Sequence, residues 1–196
     1  MEKQALNRLA NLNTHFSLES NPTATKNIWH SKYQGSINEN MILRKESDSK
    51  TIFRWLSRDD YKKGFPIVLS GLTKGCDYSE EEFLQRFDEM FPKEAHNYKI
   101  IVLEDAKTGK IIGAGSLFLE KKFIRNHGSA GHIEDIVVDK TYRGQNLGKR
   151  IIDVLCKLNY VSGAYKVILD CEEKNVKFYE KCGFVLKGAQ MAQYAK

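Results

Sequence analysis

The sequence predicts one α/β domain in which helices pack against a mixed β-sheet. Apolar runs of strand length alternate with helical segments in the order β-α-α-β-β-β-α-β-α-β, which is typical of this class. The chain has 196 residues, 41% of them hydrophobic, which suffices for one core with an appendage but not for two full domains. We expect the antiparallel part of the sheet first, because a hairpin joins two strands before the later strand–helix–strand unit.

In the first half of the chain, caps and breakers define the predicted elements. Residues 51–56 are predicted to form a strand, and Ser57 then offers an N-cap for a helix that runs towards Leu72. Pro66 lies inside this helix and is expected to kink it, because proline lacks the backbone N–H that a helix interior uses.

A second helix and a hairpin follow. Ser79 stands three residues before a glutamate, a pattern that opens a helix, and this helix is predicted to end at Met90. Residues 99–104 and 111–119 are apolar runs separated by a polar turn that contains Gly109. This arrangement predicts a β-hairpin.

The second half of the chain alternates strands with helices. Its predicted elements are a strand over 133–139, an amphipathic helix from 147 to near Gly163, a strand over 166–170, a short helix over 175–182 and a last strand from Phe184 onwards.

Residues 1–50 differ from the rest of the chain. They are rich in Asn and Ser, and their apolar residues follow neither helical nor strand period, apart from a short run between Leu6 and Asn13. We therefore predict an N-terminal extension over 1–50, either a tail or an arm that orders on contact, and a folded domain over 51–196.

Composition and termini argue against a membrane or secreted protein. No apolar run approaches the roughly 20 residues that a membrane helix needs, and the mean hydropathy is −0.49. The start of the chain lacks the apolar stretch of a secretory signal, so we expect a cytoplasmic location. The four cysteines form no Cys-x-x-Cys pair and the histidines have no zinc spacing, so we expect reduced thiols and no metal.

The net charge of +6 has two interpretations. Basic and acidic residues are interspersed, whereas a nucleic-acid-binding protein usually concentrates its Lys and Arg on one element, so we expect no nucleic-acid partner and no membrane partner. A solvated mixed surface and an anionic small-molecule partner both remain compatible with the composition.

The most informative segment is RGQNLGK at 143–149, which lies between an apolar strand and an amphipathic helix. The free N–H groups of a first helical turn, together with the helix dipole, bind pyrophosphate. Glycines allow close approach of the backbone, and Arg143 and Lys149 add positive charge. The segment is neither a Walker P-loop nor a G-x-G-x-x-G loop, so taken alone it is weak evidence and an ordinary capped helix start is the favoured explanation.

Two longer segments identify a family resemblance. HIEDIVVDKTYRGQNLGKRII (132–152) and ILDCEEKNVKFYEKCGF (168–184) resemble the GNAT superfamily of N-acetyltransferases. The resemblance implies the GNAT fold, a central mixed β-sheet flanked by helices, with acetyl-CoA as acetyl donor. It also implies that Asn175, Tyr179, Gly183 and Phe184 lie beside the pantetheine arm. Asn146 replaces the middle glycine of the family's loop, and asparagine is the next residue most tolerant of a left-handed backbone.

Within that superfamily, GHIEDIVV, YKVILDC and EKNVKFYEKCGF resemble the glucosamine 6-phosphate N-acetyltransferases over roughly residues 51–196. This resemblance implies acetyl transfer to the amine of glucosamine 6-phosphate, a step towards UDP-N-acetylglucosamine, by an intertwined homodimer with shared active sites. The alternatives are a GNAT enzyme that acetylates a polyamine or protein amine, and a non-catalytic acyl-CoA-binding module.

The resemblance also implies roles for individual residues. Tyr179 is expected to protonate the departing thiolate, while Asp170 and Glu134 are expected to orient the amine and accept its proton. The residues expected to bind the donor are Ile136, Val137, Val138, Arg143, Gly144, Gln145, Asn146, Leu147, Gly148, Lys149, Asn175 and Tyr179. The residues expected to bind the acceptor are Thr73, Lys122, Phe123, Ile124, Arg125, Glu134, Asp135, Ile136, Tyr165, Lys166 and Asp170.

Two features of the sequence do not fit these expected acceptor-binding roles directly. Glu134 and Asp135 are neighbours, and neighbours on a regular strand point to opposite faces, so both reach one sugar only if the strand bulges or a second subunit contributes. Tyr194 stands where the family usually has a basic residue, which weakens the expected grip on phosphate.

Overall fold

A five-stranded sheet is the centre of the structure, a computed structural model that describes residues 35–92 and 97–195. The strands are β1 (Thr51–Trp55), β2 (Tyr98–Asp105), β3 (Ile111–Lys121), β4 (Ser129–Val138) and β5 (Ala164–Ile168). They lie in the order β1-β2-β3-β4-β5, with β1 to β4 antiparallel and β5 parallel to β4. The predicted mixed sheet with its antiparallel part first is confirmed.

Helices cover both faces of the sheet. They are α1 (Ile37–Glu46), α2 (Phe65–Leu69), α3 (Glu80–Met90), α4 (Leu147–Val161) and α5 (Val176–Lys181). Gly115 of β3 faces α4, because a Cβ there would lie 2.8 Å from Ile151 Cγ2 and 2.9 Å from Leu155 Cδ1. The neighbouring Ala114 instead lines a cavity beside α2 and α3. The small residues of β3 therefore let α4 approach closely.

The helix that was predicted to run from Ser57 towards Leu72 with a kink at Pro66 is two separate elements. Ser57 caps a short 3-10 turn over Arg58–Tyr61, and Gly64, with a φ of 91°, precedes α2. Pro66 lies in the first turn of α2, where its missing N–H costs nothing. The prediction of one kinked helix was wrong because this proline starts a helix instead of interrupting one.

The strand predicted from Phe184 onwards is absent from the described part of the chain. Residues 184–195 form no strand, and Val185 and Leu186 are 69% and 73% exposed. A strand needs a neighbour that pairs with its N–H and C=O groups, and this segment has none within residues 35–92 and 97–195.

Helix α1 lies inside the segment that was predicted as an extension. A capping box of Ser36 and Glu39 opens it, and Leu43 is buried in the core. Glu39 is also buried, and its carboxylate accepts from Lys99 Nζ at 2.6 Å and from Ser162 Oγ at 3.1 Å. The sequence analysis missed this helix because polar contacts, and few apolar ones, hold it. The predicted boundary at residue 50 stays a prediction, since residues 1–34 lie outside the described range.

Two further sequence expectations concern the described chain. All four cysteines are free thiols, as expected. None of the described helices is long and apolar enough to cross a membrane.

Replacing Leu43 by alanine tests whether α1 belongs to the cooperative core. We expect Leu43→Ala to lower the free energy of unfolding by about 2–5 kcal/mol, since it removes a buried side chain and leaves a cavity. Met41→Ala on the exposed side of α1 is the control and should change stability by less than about 0.5 kcal/mol. Equal urea midpoints for the two variants would mean that α1 unfolds independently of the sheet.

Candidate active site

The central feature of the site is a β-bulge in β4. Asp135 has a φ of 54°, and the pairing with β3 jumps from Ala114↔Val137 to Ser116↔Glu134, so β4 carries one extra residue. Glu134 shares the face of Ser116, because directly paired residues point the same way, and Asp135 lines a cavity beside Ser116. Of the two predicted ways to bring both carboxylates to one side, the bulge is present.

A cavity of about 440 Å³ lies below the bulge, between the sheet and helices α2 and α3. Its wall includes the rings of Phe65, Phe83 and Phe87, while Asp135 and Ser116 contribute polar groups from the sheet. The sequence analysis gave α3 no place at the site. The spacing of the two phenylalanines of α3 indicates an apolar face, but only the fold places that face beside the bulge.

Glu134, Asp135, Asp170 and Tyr179 influence one another electrostatically. Burial raises the pKa of Glu134, and the negative charges of Asp135 and Asp170 raise it further. Burial, then the neighbouring cysteine thiols and Glu134, raise the pKa of Tyr179. A carboxylate with a raised pKa is a better proton acceptor, and a phenol with a raised pKa stays protonated and can donate. In the described part of the chain the Tyr179 hydroxyl has no hydrogen-bond partner.

The loop before α4 has the geometry of an anion site. Gly144 and Asn146 adopt φ values of 81° and 63°, so asparagine takes a left-handed conformation here. The backbone bond that begins the helix is Arg150 N to Asn146 O at 3.1 Å, and Asn146 makes no side-chain cap. The N–H groups of residues 147–149 are therefore left for a ligand, and the helix dipole favours a negative one.

The side chains of this loop have different roles. Arg143 is exposed, and its Nε donates to Val138 O at 3.3 Å. Lys149 Nζ donates to Asp153 Oδ2 at 2.6 Å, which raises the pKa of Lys149 and keeps it charged beside the loop. Leu147 is buried in the core, so only its backbone is available to a ligand.

Strands β4 and β5 diverge next to this loop. Their pairing ends at His132↔Ile168, whereas β4 continues to Val138. Beyond that pair, the backbone groups of β4 on the β5 side have no strand of the described chain beside them. Ile136, Val137 and Val138, which were predicted to bind the donor, all lie along this opening, although the Val137 side chain is buried.

Helix α5 borders the same opening. A Cβ on Gly148 would lie 3.5 Å from Phe178 Cζ, so α5 lies against the start of α4. Asn175 ends the 3-10 turn that leads into α5, and Tyr179 lies one helical turn later with its ring 6.2 Å from that of Phe184. The structure thus brings the predicted donor loop and the predicted proton donor to one place.

A turn at the tip of the β3–β4 hairpin carries several predicted acceptor residues. Arg125, Asn126 and His127 have φ values of 57°, 52° and 58°, three consecutive left-handed residues that are not glycine. Each costs on the order of 1 kcal/mol, so the turn is strained. Phe123 and Ile124 are exposed on it, at 93% and 65%.

The predicted phosphate-binding cations have different surroundings. Lys122 Nζ lies 2.6 Å from Glu120 Oε2, an oxygen that His132 Nε2 also contacts at 3.0 Å. Lys166 lies on the exposed side of β5, with its Nζ 5.8 Å from the ring centre of Tyr165. The contacts of Glu120 with Lys122 and with His132 were not anticipated from the sequence, since the pairing of Glu120 with His132 depends on the register of β3 and β4.

Thr73 lines a hollow that none of the other predicted acceptor residues lines. This hollow is open, has a volume of about 650 Å³ and shares Tyr78 with the cavity below the bulge. Within the described residues, the Thr73 side chain makes no hydrogen bond with the other predicted acceptor residues. Tyr194 is 87% exposed.

Comparison with known proteins decides the family. The model of the Acetyltransferase (GNAT) family matches residues 51–184. The chain belongs to the GNAT acetyltransferase family. Enzymes of this family use acetyl-CoA as the acetyl donor, and the predicted GNAT fold is confirmed.

Two similar relatives share one more specific name within this family. The chain is 52% identical over 147 residues to "Glucosamine 6-phosphate N-acetyltransferase 1" of Dictyostelium discoideum, covering 75% of this chain and 92% of the relative. It is 45% identical over 141 residues to "Glucosamine 6-phosphate N-acetyltransferase" of Arabidopsis thaliana, covering 72% and 94%. The resemblance inferred from sequence motifs is confirmed.

Solved structures agree. The crystal structure of the Arabidopsis thaliana glucosamine-6-phosphate N-acetyltransferase has a TM-score of 0.71 at 44% identity and covers 74% of this chain and 99% of its own. A Trypanosoma brucei acetyltransferase has a TM-score of 0.68 at 36% identity, with coverages of 74% and 99%.

Proposed function

We propose that this protein transfers the acetyl group of acetyl-CoA to the amine of glucosamine 6-phosphate. The products are CoA and N-acetylglucosamine 6-phosphate, a precursor of UDP-N-acetylglucosamine. One observation supports the proposal: Glu134 interacts electrostatically with both Asp170 and Tyr179, and Tyr179 lies on α5, which borders the opening between β4 and β5 and the start of α4. The 52% identity with an enzyme named for this reaction supports the choice of acceptor.

The residues present fit the donor. The free N–H groups of residues 147–149, with Arg143 and Lys149, would bind the pyrophosphate of acetyl-CoA. The unpaired edge of β4 would bind the pantetheine arm through its backbone groups. The donor supplies an acetyl group as a thioester, which an amine attacks.

The carboxylates would prepare the acceptor amine. Glu134, whose pKa is raised, would accept the ammonium proton through water, and Asp170 would orient the amine. Asp170 Oδ2 already accepts from Gln190 Nε2 at 3.1 Å, which leaves its other oxygen for a ligand. The neutral amine then attacks the carbonyl carbon, and a C–N bond forms.

The protein would stabilise the negative charge that develops on the carbonyl oxygen and the sulfur in this step. Backbone N–H groups at residues 136–138 would hold the oxyanion, a contribution that is usually the largest in acyl transfer. As the C–S bond breaks, the Tyr179 hydroxyl would donate its proton to the departing thiolate, and the second proton that the amine nitrogen loses would return to the Tyr179 oxygen through water. Asn175 lies one turn before Tyr179 on the same side of α5 and would bind the donor.

The acceptor phosphate would be bound by Lys122, Arg125 and Lys166, because a dianion prefers charge-assisted donors. Asp135 and Tyr165 would contact the sugar, and Thr73 together with Phe123 and Ile124 would complete the pocket. These assignments rest on the resemblance and on the clustering of Tyr165 and Lys166.

We further propose that the active form is a homodimer in the cytoplasm. Thr73 lines a hollow that none of the other proposed acceptor residues lines, and Phe123, Val185 and Leu186 are exposed apolar side chains. A second copy of the chain would cover these groups and bring the missing part of the pocket. The four free thiols suit a reducing compartment.

An acceptor panel tests the reaction. CoA release from acetyl-CoA is followed with DTNB, using glucosamine 6-phosphate, glucosamine, spermidine and a lysine peptide, and enzyme-only samples correct for the protein's own cysteines. We expect kcat/KM to be at least about tenfold higher for the phosphosugar, because of its charge-assisted contacts. Activity on spermidine or the peptide alone would assign a different acceptor, and no thiol release with any amine would favour a non-catalytic acyl-CoA-binding protein.

Tyr179→Phe tests the proton donor. We expect kcat to fall by about 10²–10⁴-fold, the usual range for a positioned acid, with little change in the KM for acetyl-CoA. Tyr160→Phe is the matched control, since Tyr160 lies on the outer side of α4, and it should keep wild-type kinetics. A kcat for Tyr179→Phe close to that of the control would remove the hydroxyl from the mechanism.

Sedimentation tests the oligomeric state. We expect the active protein to sediment at twice the chain mass of 22.5 kDa. Phe123→Asp, which places a charge on the exposed turn, is expected to shift the equilibrium towards monomer and to reduce activity in parallel. A fully active monomer would refute the shared-site arrangement.

A further inference from the structure

Helix α4 carries one buried side chain that packing alone does not explain. Asn159 is 0% exposed, like its apolar neighbours Leu155 and Leu158 on the same face. Its Nδ2 donates to Lys166 O at 3.2 Å, but its Oδ1 has no hydrogen-bond partner. A leucine would fill a similar volume without leaving a buried acceptor unpaired, so the amide must serve a position-specific role.

The backbone that Asn159 contacts is irregular. The pairing of β5 with β4 runs from Ser129↔Ala164 directly to Ala130↔Lys166, so Tyr165 is an extra residue on β5. Such a bulge disrupts the ladder and re-aims the side chains beside it. The Asn159 amide bonds the carbonyl next to the extra residue and so fixes the bulge from the helix side.

Gly131 completes the contact from β4. A Cβ on Gly131 would lie only 2.0 Å from Asn159 Oδ1, so any larger residue there would displace the amide. Gly131 pairs with Val167, one residue pair before the strands diverge. Asn159 is thus held between β4 and β5 at the base of the opening in which we place the reaction.

The bulge determines the positions of Tyr165 and Lys166, the two β5 residues proposed to bind the acceptor. The ring of Tyr165 lies against Gly128, where a Cβ would be 3.1 Å from Tyr165 Cδ1. Gly128 ends the left-handed turn that carries Arg125, and Lys166 Nζ lies 5.8 Å from the Tyr165 ring centre. A change in the bulge would therefore move Tyr165, Lys166 and their support for the turn together.

We propose that Asn159 is a positioning residue for recognition of the acceptor phosphate: through the Lys166 carbonyl it fixes the β5 bulge, and the bulge sets Tyr165 and Lys166. The inference rests on the proposed function. Asn159 has no access to either substrate, yet the inference gives it a selective effect on phosphorylated acceptors.

Asn159→Leu in the full-length chain tests this role by steady-state kinetics with glucosamine 6-phosphate and with glucosamine. We expect the KM for the phosphosugar to rise about tenfold, and the preference for it over glucosamine to fall by a similar factor, because a charge-assisted contact is misplaced. The KM for acetyl-CoA and the kcat should stay within about twofold. Asn159→Ala adds no bulk beside Gly131 and should change the same kinetic constants in the same direction. It replaces the leucine variant in the test if that variant folds poorly.

Two further variants separate positioning from stability. Ser162→Ala removes the two hydrogen bonds that the Ser162 hydroxyl donates at the end of the same helix, to Leu158 O and to the Glu39 carboxylate. This variant should lower the Tm without changing acceptor preference. In a Lys166→Ala background, Asn159→Leu should have little additional effect on the phosphosugar KM, because both changes act on one contact.

The outcomes distinguish the two proposals. A wild-type enzyme without activity on glucosamine 6-phosphate would overturn the proposed function and this inference with it. An active wild type whose Asn159 variants keep the wild-type preference, or lose kcat/KM equally for both acceptors, would overturn the positioning role alone.

Discussion

The arrangement of the proposed active site depends on how much of β4 is paired with its two neighbouring strands. On one side β4 pairs with β3 along most of its length, and on the other it pairs with β5 only up to His132↔Ile168. Unpaired backbone groups inside a protein are costly, so an edge left open in the middle of a sheet indicates a place for a ligand. The loop before α4, the start of α5 and the bulge at Asp135 all border this edge.

Several unfavourable local features lie in β4 and in the elements next to it. Asp135 and the turn of Arg125, Asn126 and His127 adopt left-handed backbone, and Asn159 keeps an unpaired buried oxygen. Such features cost on the order of 1–3 kcal/mol each and persist only where the surrounding structure enforces them. Here the regular sheet and the apolar face of α4 supply that support, and these strained residues belong to segments in which substrates are proposed to bind.

The opposite end of the sheet is held by a buried charge network. Arg54 donates to both oxygens of Asp60, at 2.8 and 2.7 Å, and also bonds Glu104, which links β1, β2 and the 3-10 turn. Breaking such a network is strongly destabilising, because it leaves a buried charge without compensation. This network thus lies at the β1 end of the sheet, away from the opening between β4 and β5, and the proposed chemistry lies where pairing is incomplete.

The amino-acid sequence by itself determined the mixed sheet with its antiparallel part first, the capped helix α3 and the family, because these depend on short-range periodicity, caps and motif spacing. The anion-binding role of the loop before α4 stays a prediction. The left-handed tolerance of Asn146 also followed from the residue type. Only the tertiary structure decided that Pro66 begins a helix, that α1 docks through Glu39, and that the segment after Phe184 pairs with no strand in the described part of the chain. It also decided the bulge at Asp135 and the contact of Asn159 with Lys166, because strand register and helix approach are set by packing between residues far apart in the chain.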